Sequence, residues 1–190
     1  GKKNTCDATG MNDFYGMQQL CLSSWLMSGD VFGLIKRTES TPFAPYGLRL
    51  HIIEADRVRT PRIDAGIGYP SSLTKVKADN GNIIYDGVEV SPDGMVQAYH
   101  VANTYPYEMT AEKTEFVRVE AYGKKTGLPN ILHIMESERP DQYRGVPYLA
   151  QVIEPMLQMR RYTEAEIMAA VVQSFHTAFV VTEAGANDMP

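Results

Sequence analysis

The chain has 190 residues, of which 44% are hydrophobic and 22% are charged, and its formal net charge is −5. This composition is typical of a folded globular protein and excludes a disordered chain. The acidic balance argues against a protein that coats nucleic acid regardless of sequence, because such binding needs a clustered basic surface. No apolar run approaches the length of a membrane span, so we expect no membrane contact.

The two cysteines, Cys6 and Cys21, are too few for a disulfide framework or a zinc cluster, and we expect both thiols to be reduced. Residues 1–11 and 183–190 are predicted to be loose ends. The polar start has no apolar segment of the kind that a signal peptide requires. Because the chain begins at Gly1 and lacks a closing element at its other end, we expect it to be a piece of a longer protein.

The first predicted element is a helix that begins after Asn12, a suitable N-cap, and ends at Gly29, a suitable C-cap. A short apolar run at residues 31–35 follows, and then a turn at residues 38–47 that is rich in proline and glycine. Residues 48–53 predict a strand.

Residues 57–81 have no periodicity and contain several prolines and glycines, so they predict a long loop whose role stays open. A β-hairpin is predicted over residues 87–101, because two alternating segments flank the turn sequence Ser-Pro-Asp-Gly at 91–94. Two further strands are predicted at residues 116–121 and 131–135.

The longest helical pattern begins at Pro147, which suits a first helical position because it has no N–H to leave unpaired. Pro155 lies inside this pattern and would cost about 3 kcal/mol in a straight helix, so we expect a kink or two consecutive helices. The spacing of apolar residues predicts one buried face, formed by Ala165, Met168, Ala169, Val172, Phe175, His176 and Phe179.

The order of these elements predicts an α+β fold. It comprises an antiparallel sheet with hairpins, an N-terminal helix, and a C-terminal pair of helices or one kinked long helix. The helices are expected to cover the apolar face of the sheet.

No group of residues predicts catalysis, so we expect a protein that is not an enzyme and that binds no cofactor or metal. The four histidines never stand in a metal-ligand spacing and are interpreted as partly buried, satisfied side chains: His51, His100, His133 and His176. Gly66-Ile67-Gly68 lacks the context of a phosphate-binding loop. The acidic pairs Asp7/Asp13 and Glu112/Glu115 are interpreted as solvated surface groups.

Arginines cluster at Arg57, Arg59 and Arg62 within the predicted loop, and again in the last quarter of the chain. A basic strip of this kind can meet phosphates or an acidic partner surface. A DNA- or protein-binding adaptor module that uses this loop is therefore one hypothesis. Without interleaved aromatic residues, a solvated face or pairing between subunits is favoured over it.

Residues 138–150 read ERPDQYRGVPYLA and lead into the long helical pattern. This segment resembles the signature of the lambda family of tailed-phage portal proteins, in which Arg-Pro-x-Gln-x-Arg-Gly-Val-Pro precedes helices. The order of the upstream elements is also similar, so that the resemblance covers about residues 12–182. The signature positions, to which the resemblance assigns a structural role, are Arg139, Pro140, Gln142, Arg144, Gly145, Val146 and Pro147.

The resemblance implies a head–tail connector of a phage or prophage. In the family, a ring of subunits, usually a dodecamer, occupies one capsid vertex, and double-stranded DNA passes through it during packaging and ejection. The implied partners are other copies of the chain, the terminase motor, capsid and head-completion proteins, and the DNA itself. The implied location is the virion, and the host cytoplasm during assembly.

By the same resemblance, residues 12–136 form a wing-like α+β region. Residues 137–182 form a turn followed by a helical region nearer the centre of the ring. The loop after Arg57 and the insert at residues 104–113 carry no matching motif.

Overall fold

The computed structural model describes the chain over residues 2–42, 44–61, 75–108 and 114–175. The chain divides into two compact units, residues 1–150 and residues 151–190. In the described residues, the first unit contains two antiparallel sheets and two α-helices, and the second contains a long α-helix. The predicted α+β fold class is confirmed.

The beginning of the chain is more ordered than the predicted loose lead-in. A short helix, α1 (Lys3–Cys6), is followed by Asp7, which is buried. The carboxylate of Asp7 accepts hydrogen bonds from the backbone N–H groups of Thr9, Met11 and Asn12 at 2.8–3.2 Å and from the Thr9 hydroxyl at 2.8 Å. These bonds lower the pKa of Asp7 although burial acts to raise it. The interpretation of Asp7 as a solvated surface acid is therefore wrong.

The predicted first helix is present as α2 (Phe14–Ser28). Its N-cap is Asp13 rather than Asn12, because the Asp13 carboxylate accepts a hydrogen bond from the Gly16 N–H at 2.8 Å. Asp13 is thus a capping group as well as an acid. Gly29 ends the helix with φ 87°, in the left-handed region that favours glycine, which confirms the predicted C-cap.

The described residues contain eight strands: β1 (Asp30–Arg37), β2 (Leu48–Glu54), β3 (Lys75–Lys77), β4 (Ile83–Tyr85), β5 (Val88–Val90), β6 (Val96–Ala102), β7 (Phe116–Glu120) and β8 (Ile131–Met135). A three-stranded sheet has the order β2-β1-β8, and a five-stranded sheet has the order β3-β4-β5-β6-β7. All the paired strands are antiparallel. The predicted hairpin is confirmed as β5 and β6.

The sequence interpretation missed β3 and β4. Residues 75–77 fall inside the predicted long loop, of which residues 62–74 lie outside the described part of the chain. The connection between β4 and β5 is the pair Asp86-Gly87, in which both residues have positive φ, 44° and 86°. This is the backbone of a type I′ hairpin turn, and an Asp-Gly pair between apolar segments is a strong sequence signal for it.

The core lies between the two sheets. Phe32 of β1 is fully buried, its ring stacks on His133 of β8 at 4.3 Å, and it meets Tyr99 of β6 edge-on at 5.5 Å. The other buried members of this cluster are Ile53, Val58, Val88, Val90, Val101, Ala121 and Ile131. Burial in this cluster raises the pKa of Tyr99 to about 12. The two sheets are therefore joined by side chains from five different strands and from the segments between them.

The helical part after Pro147 consists of a 3₁₀ segment, Tyr148–Val152, followed directly by the helix α3 (Ile153–Phe175). The prediction of two consecutive helices is confirmed in this form. Pro155 is the third residue of α3, where a backbone N–H has no partner within the helix, so it does not break α3.

The predicted buried face of the last helix is wrong for the residues that the structure describes. No residue of α3 is buried, and Val172 is 50% exposed. Within the described part of residues 151–190, α3 has no second element to cover an apolar face. His176 and Phe179 lie outside the described residues. Among the described helices, none combines the length and apolar character that a membrane crossing needs.

The five-stranded sheet contains a buried carboxylate on the face opposite to the core residues Val88 and Val90. Glu89 of β5 is 1% exposed, and its carboxylate accepts two hydrogen bonds from Arg118 of β7 at 2.7 and 2.9 Å. The side-chain amides of Asn80 and Asn82 each donate to it at 2.7 Å, and His100 Nε2 lies 3.1 Å away. The Arg118 guanidinium holds the pKa of Glu89 well below its usual range, against the opposing effect of burial.

This network predicts a pH-dependent loss of stability. Because its folded-state pKa is depressed, Glu89 stabilises the fold above its unfolded pKa of about 4.3, and that contribution disappears as the pH falls further. We expect Glu89→Gln to reduce the free energy of unfolding at pH 7 by about 3 kcal/mol, the usual cost of breaking a buried ion pair. At pH 3, the difference in the free energy of unfolding between this variant and the unaltered protein should be smaller. Urea denaturation at pH 7 and at pH 3 measures both differences.

The matched control is Glu120→Gln, two residues from Arg118. The Glu120 side chain is 34% exposed and pairs with the exposed Lys124 at 2.9 Å and with Arg118, itself 40% exposed, at 3.7 Å, so its neutralisation should cost less than about 1 kcal/mol. Equal losses in the two variants, or a loss for Glu89→Gln that does not depend on pH, would contradict the role given to Glu89.

Candidate functional site

The segment that precedes the long helix contacts several distant parts of the chain. Its Arg144 guanidinium binds the Asp30 carboxylate through two hydrogen bonds, Nε to Oδ2 at 2.7 Å and Nη2 to Oδ1 at 3.2 Å. Nη1 donates to the Asp86 carboxylate at 3.0 Å. We call Asp30, Asp86 and Arg144 the arginine clasp. It joins the start of β1 to the turn between β4 and β5, and therefore joins the two sheets.

The remaining N–H groups of Arg144 are also used. Nη1 donates to the backbone carbonyls of Val58 at 2.7 Å and of Asp86 at 2.6 Å, and Nη2 donates to the carbonyl of Ala55 at 3.1 Å. The guanidinium lies 5.5 Å from the centre of the Phe32 ring, within the range of a cation–π contact. The planar fork has five N–H donors for these six bonds, so that one N–H of Nη1 is shared between two oxygens, and a lysine ammonium with three donors cannot satisfy the same set.

Asp30 is the most enclosed acid of the clasp, with a side chain that is 1% exposed. Burial alone would raise its pKa, but hydrogen bonds with His133, Arg144 and the Gly145 N–H outweigh burial and lower the pKa to about 2. The His133 and Gly145 contacts to Oδ2 are both 3.1 Å. Asp30 is therefore ionised at neutral pH, and its charge is compensated by a partly buried arginine.

Two glycines allow the backbone to approach this closely. A Cβ atom on Gly145 would clash with the carbonyl group of Gly29, and a Cβ atom on Gly29 would clash with the backbone of residues 145–147. The end of α2 and the start of the helical segment are thus in direct backbone contact. Only glycine fits on either side.

The other positions of the sequence signature surround the clasp less tightly. Gln142 accepts a hydrogen bond from the Glu138 N–H at 3.0 Å and donates to the Arg144 carbonyl at 2.9 Å, so it shapes the loop. Arg139, Pro140 and Val146 are exposed, and Pro147 is half-buried.

Tyr143, a residue between the signature positions, stacks on Tyr85 at 5.0 Å. Its hydroxyl donates to the Gly94 carbonyl at 3.2 Å, in the turn of the predicted hairpin. Tyr148, directly after the signature, stacks on Trp25 of α2 at 5.7 Å. The segment therefore contacts both sheets and α2 on its way to the long helix.

Of the loop arginines, Arg57 and Arg59 lie in the described part of the chain, and these two do not form an exposed strip. Arg57 donates two hydrogen bonds to the Ala102 carbonyl, at 3.1 and 3.0 Å, and its guanidinium lies 5.9 Å from the centre of the Tyr105 ring. Arg59 lies over the Phe116 ring at 5.7 Å. Arg62 is outside the described residues. Arg57 and Arg59 hold the five-stranded sheet to the segment after β2.

The histidines are placed as the sequence predicted, as far as they are described. His100 and His133 are largely buried, and each contacts one carboxylate, Glu89 and Asp30 respectively. His51 is half-buried. His176 lies outside the described residues. Among the described side chains, no group of three His, Cys, Asp or Glu residues is placed to hold a metal ion.

Sequence reasoning did not identify the two acids of the clasp. Asp30 follows a helix C-cap and begins a buried strand, where an acid is unusual. This position was the available signal that Asp30 has a buried partner. Asp86 belongs to an Asp-Gly pair whose hairpin was overlooked. The partnership of both with Arg144 spans 114 and 58 residues, so no local pattern encodes it.

A comparison with protein families identifies the chain. The family model described as phage portal protein, lambda family, matches residues 1–190, which is the whole chain. No curated protein sequence matches it. The resemblance carried by the signature at residues 139–147 is thus confirmed. The family is one of structural, ring-forming virion proteins that act with capsid, terminase and DNA. The chain belongs to the lambda family of phage portal proteins.

Proposed function

We propose that this chain is the ring-forming subunit of a head–tail connector, placed at one capsid vertex, through which double-stranded DNA is packaged and later ejected. The match to the portal family over the whole chain carries the proposal. A formal net charge of −5 agrees with it, since a strongly basic conduit would hold DNA rather than let it slide. The work of such a subunit is geometric and involves no bond chemistry.

The proposed partners follow from that role. They are further copies of the chain in a dodecamer, the terminase motor, capsid and head-completion proteins, and the DNA in the channel. The proposed location is the virion, with assembly in the host cytoplasm. The competing adaptor function loses support, because Arg57 and Arg59 are engaged within the fold instead of facing a ligand.

Within the ring, we propose that residues 12–136 form the wing-like region and residues 137–182 the turn and the helical region nearer the ring's centre. The signature residues would then be structural. Arg144 and Gly145 support this role, because they fix the segment before the long helix to both sheets and to the end of α2.

The ring is tested with the full-length protein. Negative-stain or cryo-electron microscopy of the purified protein should show closed rings with a central channel. Deletion of the gene in the phage or prophage should give capsids without packaged DNA. Soluble monomers at all concentrations, or normal DNA packaging without the protein, would overturn the proposal. Sub-micromolar, salt-dependent binding of monomers to duplex DNA would favour the adaptor function instead.

The structural role of Arg144 is tested by two substitutions. Arg144→Met leaves Asp30 buried without its charged partner, and we expect a loss of about 3–5 kcal/mol in the free energy of unfolding, measured by urea denaturation. Arg144→Lys keeps the charge but not the planar fork, so we expect an intermediate loss.

Arg139→Gln is the control for Arg144, because it lies in the same segment, is exposed, and has no ion pair among the described residues. It should change the stability by less than about 0.5 kcal/mol. A loss for Arg144→Met no larger than for Arg139→Gln would show that the clasp does not hold the segment.

A further inference from the structure

The two ends of the three-stranded sheet carry opposite charges. We call Lys36, Arg37 and Arg49 the basic end, and Glu136, Glu138 and Asp141 the acidic end. Lys36 and Arg37 are the last residues of β1, and Lys36 lies opposite Arg49 of β2. The acidic end follows β8, whose last residue, Met135, lies opposite Asp30, the first residue of β1. Six residues of β1 separate the two ends, or about 20 Å at 3.3 Å per residue.

The basic end lacks compensation inside the fold. Lys36 and Arg49 are directly opposite on antiparallel strands, and like charges in that position are destabilising. In the described part of the chain, none of the three cations takes part in an ion pair, and Glu39 is the nearest exposed acid along β1 and the turn after it. Arg49 Nε is buried and has no hydrogen-bond partner there. A buried N–H without an acceptor is costly, which adds to the destabilisation at this end of the sheet.

A local excess of positive charge is also visible at His51, two residues after Arg49. Burial lowers the pKa of His51, and the charges of Lys36 and Arg57 lower it further, against a smaller opposing effect of Asp7. Asp7 forms no ion pair with Lys36, Arg37 or Arg49 in the described part of the chain, because its carboxylate is directed to the N–H groups of its own loop.

The acidic end is likewise uncompensated. Glu136, Glu138 and Asp141 are exposed, and within the described residues none of them forms an ion pair. Arg139 lies among them, so that three acids stand with one cation. Two contacts fix the loop that contains these acids. Gln142 accepts a hydrogen bond from the Glu138 N–H, and Arg144 binds Asp30 in the arginine clasp. The acidic end is thus presented on a fixed loop.

We infer that the basic end of the three-stranded sheet in one copy docks on the acidic end of the same sheet in the neighbouring copy of this chain. The inference rests on the proposed ring function. A closed ring needs heterologous contacts, in which two different patches of each subunit meet. Two complementary patches at opposite ends of one sheet supply that arrangement, and carboxylates of the neighbour supply the counter-charges that the exposed Lys36 and Arg37 lack.

Charge reversal at exposed positions tests the contact in the full-length protein. The first variant is Lys36→Glu with Arg37→Glu, which makes both ends acidic. The second is Glu136→Lys with Glu138→Lys, which makes both ends basic. Each variant alone should raise the protein concentration at half-assembly by about tenfold or more, because like charges then meet at every contact. Sedimentation velocity measures the change.

A one-to-one mixture of the two variants gives the sharpest result. Alternating copies place an acidic end against a basic end at each contact, so the mixture should assemble as readily as the unaltered protein. Recovery on mixing also shows that both variants fold. Carbodiimide coupling of isotopically labelled and unlabelled copies should join Lys36 of one copy to Glu136 or Glu138 of another.

The control variant is Lys124→Glu with Lys125→Glu, which makes the same charge change on exposed residues beyond the five-stranded sheet and should leave assembly unchanged. Assembly that tolerates either reversal, or a mixture of folded variants that does not recover, would overturn the docking contact while leaving the ring intact. Failure of the unaltered full-length protein to form rings would instead overturn the proposed function.

Discussion

The arginine clasp places one guanidinium between two carboxylates and three backbone carbonyls that come from separate parts of the chain. Removing Arg144 from such a site leaves a buried charge and several acceptors without donors, whereas forming it requires every partner to be in place. The clasp therefore couples the start of β1, the segment after β2 and the turn between β4 and β5. The core around Phe32 depends on the same alignment, because this ring lies directly beneath the guanidinium.

Elements with local signals could be predicted from the sequence. The hairpin of β5 and β6 follows from its Ser-Pro-Asp-Gly turn, and the end of α2 follows from a glycine in the left-handed region. Elements stabilised by distant partners could not. An acid between two valines of a hairpin strand normally faces solvent, yet Glu89 is buried because Arg118, 29 residues later, and two asparagines complete its hydrogen bonds.

The candidate site also has a part that local sequence signals predict and a part that depends on distant partners. The sequence singled out Arg144 and Gly145 through a motif, but their partners Asp30 and Asp86 carry no motif of their own. The long helix shows the opposite error, since an apolar period was interpreted as a buried face. Apolar periodicity shows that one face of a helix is able to pack, but the face is buried only where a second element of the fold covers it. No residue of α3 is buried among the described residues.

The pairing of β1 with β8 also constrains how the chain folds. Asp30 meets Met135 across the three-stranded sheet, and it meets Arg144 across a separation of 114 residues. Contacts of such long range form slowly, because a large loop must close before they contribute. During synthesis, Phe32 and the start of β1 stay without their final cover until the ribosome has released residue 144. Arg144 of the portal signature is therefore synthesised after all eight described strands, and its contacts with Asp30 and Asp86 complete the junction of the two sheets last.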